Sequence, residues 1–271
     1  MSRHFQIGVF DSGFGGLTVL RALLRFIPGA DFVYLGDTAR LPYGSKSRAT
    51  ITRYALSSTR FLIDQGADYL VLACNTASAL ALDQIRSSTS LPVLGVIDTG
   101  VEEARKQSET GDVLVIGTDA TIGSHAYAAA GKKLGLRVLE KACPLLAPLV
   151  EEGWVNHPVT TEVVRIYLSE LLAQAGLEGM KPDTLVLGCT HYPLLRRTIE
   201  AVLPCGIRVI DSAEATADRV ARSFDTGKLL TGAAAGKRRY FATDSVAKFR
   251  NLGASFLGSP IDKVELVDLG G

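Results

Sequence analysis

Cys74 and Cys189 stand in matched surroundings. The segment Tyr69-Leu-Val-Leu-Ala-Cys74-Asn-Thr resembles Thr184-Leu-Val-Leu-Gly-Cys189-Thr-His. Each reads as a buried strand ending in cysteine, followed by two polar residues and a helix. A lone free cysteine is usually a small core residue. The same thiol at the same place in two like segments points instead to chemistry. A thiol at a helix N-terminus meets the positive end of the dipole, which lowers its pKa and favours thiolate. A helix is expected from about Thr76. Pro193, a residue suited to a first helical turn, follows Cys189. Two such thiols could work as paired acid and base on one carbon. One removes a proton from one face, the other returns a proton to the opposite face, and the roles swap with the stereoisomer. The carbanion-like state between them needs fixed donors. Asn75, Thr76 and Thr190 are short, neutral and adjacent to the thiols. Cys143 and Cys205 lack the pattern and read as structural.

Asp11 and His191 are candidate assistants. Asp11 could orient an ammonium group or take a proton relayed through Cys74, and His191 could do the same beside Cys189. The plain alternatives are a turn or N-cap residue for Asp11 and a backbone-bonded helix-start histidine for His191. Gly13-Phe14-Gly15-Gly16 has phosphate-loop flavour, but Thr18 replaces the third glycine of the dinucleotide fingerprint and no Gly-Lys-Ser/Thr follows. Nucleotide binding is therefore rejected. The glycines suit a tight turn or a close backbone approach to a small anion. No Cys-x-x-Cys or His-x-x-x-His spacing suggests a metal, and no lysine stands out as a Schiff base.

These residues need strands to carry them. Short apolar runs cover Gln6 to Phe10, Phe32 to Leu35, Tyr69 to Ala73, Pro92 to Ile97, Val113 to Ile116, Leu136 to Leu139, Leu185 to Leu187 and Ile207 to Ile210, with amphipathic stretches between. One long helix is expected from Ser47 to Gln65, with Gly66 as its stop. Strand–helix alternation means α/β with mainly parallel, doubly covered sheets. The segments Gly95-Val-Ile-Asp98-Thr99 and Arg208-Val-Ile-Asp211-Ser212 form a second matched pair. Two pseudo-symmetric, doubly wound domains follow, 1–98 with 211–271 and 99–210, with a site in the cleft between them. Asp11, Cys74, Asp98, Cys189 and Asp211 all fall just after strand runs, where open α/β sheets bind ligands.

The 29 basic and 28 acidic residues nearly cancel, and no basic arm argues for nucleic acid. Lys237-Arg238-Arg239 reads as a solvated strand entrance. Met1 to Phe5 leads straight into a strand without a signal core, and no apolar run reaches the roughly 18 residues of a membrane span. Four cysteines are too few for a disulfide framework. A reduced, cytoplasmic enzyme is expected.

Four segments together carry a specific resemblance: Phe10-Asp-Ser-Gly-Phe-Gly-Gly16, Gly36-Asp-Thr38 with Leu41-Pro-Tyr-Gly-Ser45, Leu72-Ala-Cys-Asn-Thr-Ala77, and Leu187-Gly-Cys-Thr-His-Tyr-Pro193. The chain resembles the glutamate racemase family of bacterial cell-wall synthesis over most of its length up to about 215, with one departure in the histidine-poor, alanine-rich stretch 232–236. The resemblance implies cofactor-free, PLP-independent and metal-free racemisation of L-glutamate to D-glutamate for peptidoglycan, with Cys74 and Cys189 as bases and Asp11 and His191 assisting. It implies substrate contacts at Asp11, Ser12, Tyr43, Gly44, Asn75, Thr76, Thr190 and His191, with Thr118 and Thr121 as further candidates. Asp37 and Glu151 match other polar positions of the family. Aspartate racemase, or a related isomerase of the superfamily, is the alternative. A homodimer with no nucleic-acid or membrane partner is also implied.

Overall fold

The computed structural model describes residues 5–223 and 236–270. The lead-in Met1–His4 and all of the alanine-rich stretch except Gly236 lie outside the described residues. In chain order the strands are β1 (Gln6–Asp11), β2 (Asp31–Gly36), β3 (Tyr69–Leu72), β4 (Val93–Gly95), β5 (Asp112–Gly117), β6 (Arg137–Ala142), β7 (Thr184–Gly188), β8 (Arg208–Asp211), β9 (Arg238–Ala242) and β10 (Glu265–Leu266). They form two sheets, ordered β10-β9-β2-β1-β3-β4 and β6-β5-β7-β8, with parallel pairing throughout. Contacts divide the chain into two compact units, Met1–Val96 with Ala213–Gly271, and Ile97–Ser212.

The apolar runs form strands because helices cover both sheet faces. All four residues of β3 and all six of β5 are buried, so Tyr69–Leu72 and the run 113–116 are apolar on both faces rather than alternating. The first four strands of each sheet share one order: second, first, third, fourth. In that order the first and third strands lie side by side, and the connection leaving the first strand runs to one side while that leaving the third runs to the other. This is the topological switch point, where a crevice opens at the carboxyl ends of the strands. Asp11 closes β1 and Cys74 lies just past β3. Thr118 follows β5 and Cys189 follows β7.

One element differs in kind from expectation. The strand read over Pro92 to Ile97 ends at Gly95, and Val96–Gln107 is helical. Ile97, Val101 and Ala104 are buried at helical spacing; a short apolar run cannot by itself separate strand from helix. Asp98 therefore sits in the first helical turn and not at a strand end. The long helix runs Arg48–Asp64, capped by Ser47, whose side chain accepts from the Thr50 N–H. Gly66 follows with φ +92°, the left-handed conformation that ends a helix at low cost. Lys237 leads into β9, and Arg238 and Arg239 are exposed. Among the described residues no helix is long and apolar enough to cross a membrane.

Candidate active site

The predicted residues fall into two groups, one on each unit. On the first unit, Cys74 is the N-cap of helix Asn75–Ser88, and its Sγ accepts from the Ala77 N–H at 3.4 Å. The same sulfur lies 3.6 Å from Ser12 Oγ, to which it donates. Asn75 and Thr76 open the helix and are buried. Asp11 is fully buried, and its Oδ2 accepts from the Gly13 N–H at 2.9 Å. The Gly13 carbonyl in turn accepts from the Tyr34 hydroxyl at 3.1 Å. The glycine-rich segment thus folds around a carboxylate.

Gly16 shows how tightly. A Cβ there would fall 2.6 Å from Asp11 Cβ and 2.8 Å from Ala73 Cβ. Neither is the free end of a flexible side chain, so Asp11 or the strand end before Cys74 must move. Gly16→Ala is expected to destabilise the fold by about 1–3 kcal/mol. Urea unfolding of the variant checks this, and an unchanged midpoint would contradict the packing.

The expected fall in the Cys74 pKa is not what the structure shows. Burial, followed by the nearby negative charge of Asp11, pushes the thiol up to about 12, against the opposing hydrogen bonds from Ala77 and Ser12. The helix-terminal N–H is present, but desolvation of the charged form outweighs it. Cys74 is held as a thiol.

Tyr43, with Gly44 beside it in the turn Tyr43–Ser45, is buried. Its hydroxyl donates to Asp37 Oδ2 at 2.5 Å. Burial raises the Asp37 pKa, opposed by Tyr43, Arg40 and Thr243. Burial and then Asp37 raise the Tyr43 phenol well above its ordinary value.

On the second unit, Cys189 does not cap a helix. A turn follows it, then the 3₁₀ segment Tyr192–Leu195, and the α-helix begins only at Arg196. Pro193 is the cause: an α-helical start would need its N–H to reach the Cys189 carbonyl, and proline has none. The Tyr192 N–H takes that carbonyl at 3.2 Å instead. The helix-dipole argument therefore does not carry over to Cys189.

A different partner stands there. His191 is buried, with Nδ1 3.8 Å from Cys189 Sγ and Nε2 3.0 Å from Glu151 Oε1. Burial works against its charge, yet hydrogen bonds and charge attraction from Cys189 and Glu151 win and raise the imidazole to about 10. An imidazolium at neutral pH donates from both nitrogens, toward the sulfur and toward the carboxylate. Glu151 ends the helix Leu146–Glu151. Thr118 caps the short helix Asp119–Gly123, and its Oγ1 lies 2.9 Å from that of Thr121. Thr190 is buried beside Cys189. Tyr192 anchors the turn by donating to the Cys143 carbonyl at 2.8 Å, and burial raises the Cys143 thiol to about 12.

The Asp/Glu/Hydantoin racemase family model matches residues 7–220, most of the chain and both groups of residues. The chain belongs to that family. It is 50% identical to a glutamate racemase of Koribacter versatilis over 98% of each chain, and 46% identical to one of Geobacter metallireducens over 97% of this chain and 96% of that one. Its fold is similar to the crystal structure of glutamate racemase from Francisella tularensis in complex with D-glutamate, with TM-score 0.88, 36% identity and 98% of both chains covered.

Several residues around these racemase-family motifs escape a reading of the sequence. Tyr34, Arg40 and Thr243 act through hydrogen bonds and charge on Gly13 and Asp37. Thr243 lies 206 positions from Asp37, and no local pattern could have pointed to it.

Proposed function

We propose that this protein racemises glutamate without a cofactor, using Cys74 and Cys189 as the two proton carriers. The observation that carries the reading is a matched pair of buried strand-end cysteines, each beside its own titratable partner. Cys74 has Asp11, and Cys189 has His191 backed by Glu151. In one direction a Cys189 thiolate takes the α-proton, and the C–H electron pair remains on the carbon. The Cys74 thiol then protonates the opposite face, leaving its own thiolate. The reverse direction exchanges the roles. Asp11 offers a carboxylate to which the Cys74 proton can pass, and the His191 imidazolium can return a proton to Cys189.

The planar, carbanion-like state is held by Ser12, Asn75, Thr76, Thr118, Thr121 and Thr190, with Tyr43 and Gly44 completing the substrate contacts. Short neutral donors fixed in place favour charge that develops on the carboxylate only in the transition state. The product, D-glutamate, would serve peptidoglycan synthesis in the cytoplasm.

In deuterated water, L-glutamate should gain one α-deuteron per inversion with no cofactor added. Mass spectrometry with chiral separation reads both events together. Inversion without deuterium uptake would rule out proton transfer through these thiols. Faster turnover of aspartate than glutamate would reassign the substrate.

A further inference from the structure

The chain returns to the first sheet after β8, and that segment does more than widen the sheet. β9 runs beside β2 in register, with Ala242 opposite Gly36. The next residue, Thr243, is half-buried. Its N–H donates to the Gly36 carbonyl at 3.2 Å. Its hydroxyl accepts from the Ala39 N–H at 2.9 Å and donates to Asp37 Oδ1 at 2.9 Å. The other oxygen of Asp37 accepts from Tyr43. Thr38 and Asp244 exchange two bonds, at 2.6 and 2.9 Å. Arg40 places its guanidinium 3.5 Å from Asp37 Oδ2 and 4.6 Å from the centre of the Tyr54 ring, and donates to the Gly270 carbonyl. The loop that carries Tyr43 and Gly44 is thus tied to the C-terminal segment at three points.

We propose that Thr243 is a positioning residue for the racemase reaction: its hydroxyl fixes the Asp37 carboxyl, and Asp37 in turn fixes Tyr43 and the turn that presents Gly44 to substrate. This rests on the racemase reading and on Tyr43 as a substrate contact. Threonine suits the place because its one hydroxyl hydrogen goes to Asp37 while a lone pair takes the Ala39 N–H. With a methyl group in place of the hydroxyl, one Asp37 oxygen loses its partner and the carboxyl is free to turn about its Cβ–Cγ bond. Tyr43 loses the fixed acceptor that orients it. The effect falls on substrate placement and not on the sulfurs.

Thr243→Val keeps the shape and removes the hydroxyl; Thr243→Ser keeps the hydroxyl. In Thr243→Val the KM for glutamate should rise about tenfold with kcat changed less than about threefold, in line with the loss of one hydrogen bond to a charged group. Thr243→Ser should restore KM. The ¹³C resonance of the Tyr43 ring carbon bearing the hydroxyl should shift in Thr243→Val and hold in Thr243→Ser. A wild-type KM in Thr243→Val, or equal impairment of both variants, overturns the proposal. Should the wild type not turn over glutamate, the racemase reading falls. The Thr243 link is then decided by the Tyr43 resonance alone, which overturns it if unmoved in Thr243→Val.

Discussion

Cys74→Ser and Cys189→Ser should each lower the kcat/KM for glutamate racemisation by at least about 10³-fold, the middle of the range that a positioned acid or base contributes. That corresponds to about 4 kcal/mol of lost transition-state stabilisation. The alcohol that replaces each thiol is far weaker as an acid and far costlier as an anion. On the proposed two-thiol mechanism neither group can be bypassed, because one sulfur cannot serve both faces of a carbon without swinging across it. The exchange of sulfur for oxygen changes little volume, so melting temperatures should stay close to wild type and separate a chemical loss from a folding loss. Each variant should still wash out the α-deuteron of the one enantiomer whose proton faces the remaining thiol. Near-normal racemisation in both single variants would end the two-thiol account.

His191→Asn should cost about 10² or more in kcat/KM, and the pH profile shows why. The folded pKa of about 10 lies above the ordinary 6.5 of histidine, so the ring stays charged through neutral pH. A raised pKa of this kind contributes stability that is complete below about 6.5 and is lost as the pH climbs through about 10. Activity that needs the imidazolium should fall along the same alkaline limb. Glu151→Gln removes one of the two groups that hold the charge, so its limb should move to lower pH and the protein should lose stability earlier on the alkaline side. Rate and urea-unfolding profiles between neutral pH and about 10.5 measure both. A limb that stays fixed in Glu151→Gln would mean that the carboxylate does not set the histidine's charge.

Much of the fold is legible from residue pattern alone. Runs such as Tyr69-Leu-Val-Leu and Val113-Leu-Val-Ile are apolar on both faces because parallel strands are covered twice. Ser47 and Gly66 bracket their helix by local chemistry. Cys74 as a helix cap is legible for the same reason. What resists is whatever depends on tertiary burial or on one missing hydrogen. The dipole argument for Cys74 has the right geometry and the wrong sign, since neither desolvation nor the nearness of Asp11 is visible in a string of letters. The turn after Cys189 resembles its partner segment until Pro193 removes the N–H that an α-helix would use. The pairing of His191 with Glu151 spans 40 positions and emerges only from the fold.

Residues Ile97–Ser212 form one uninterrupted unit, whereas the other is assembled from both ends of the chain. During synthesis the later half-enzyme can finish folding while the earlier one still lacks β9 and β10. Until β9 (Arg238–Ala242) clears the ribosome, the β2 edge remains unpaired and open to a neighbouring nascent strand. Termination before β9 should therefore yield aggregation-prone chains rather than a merely weakened catalyst.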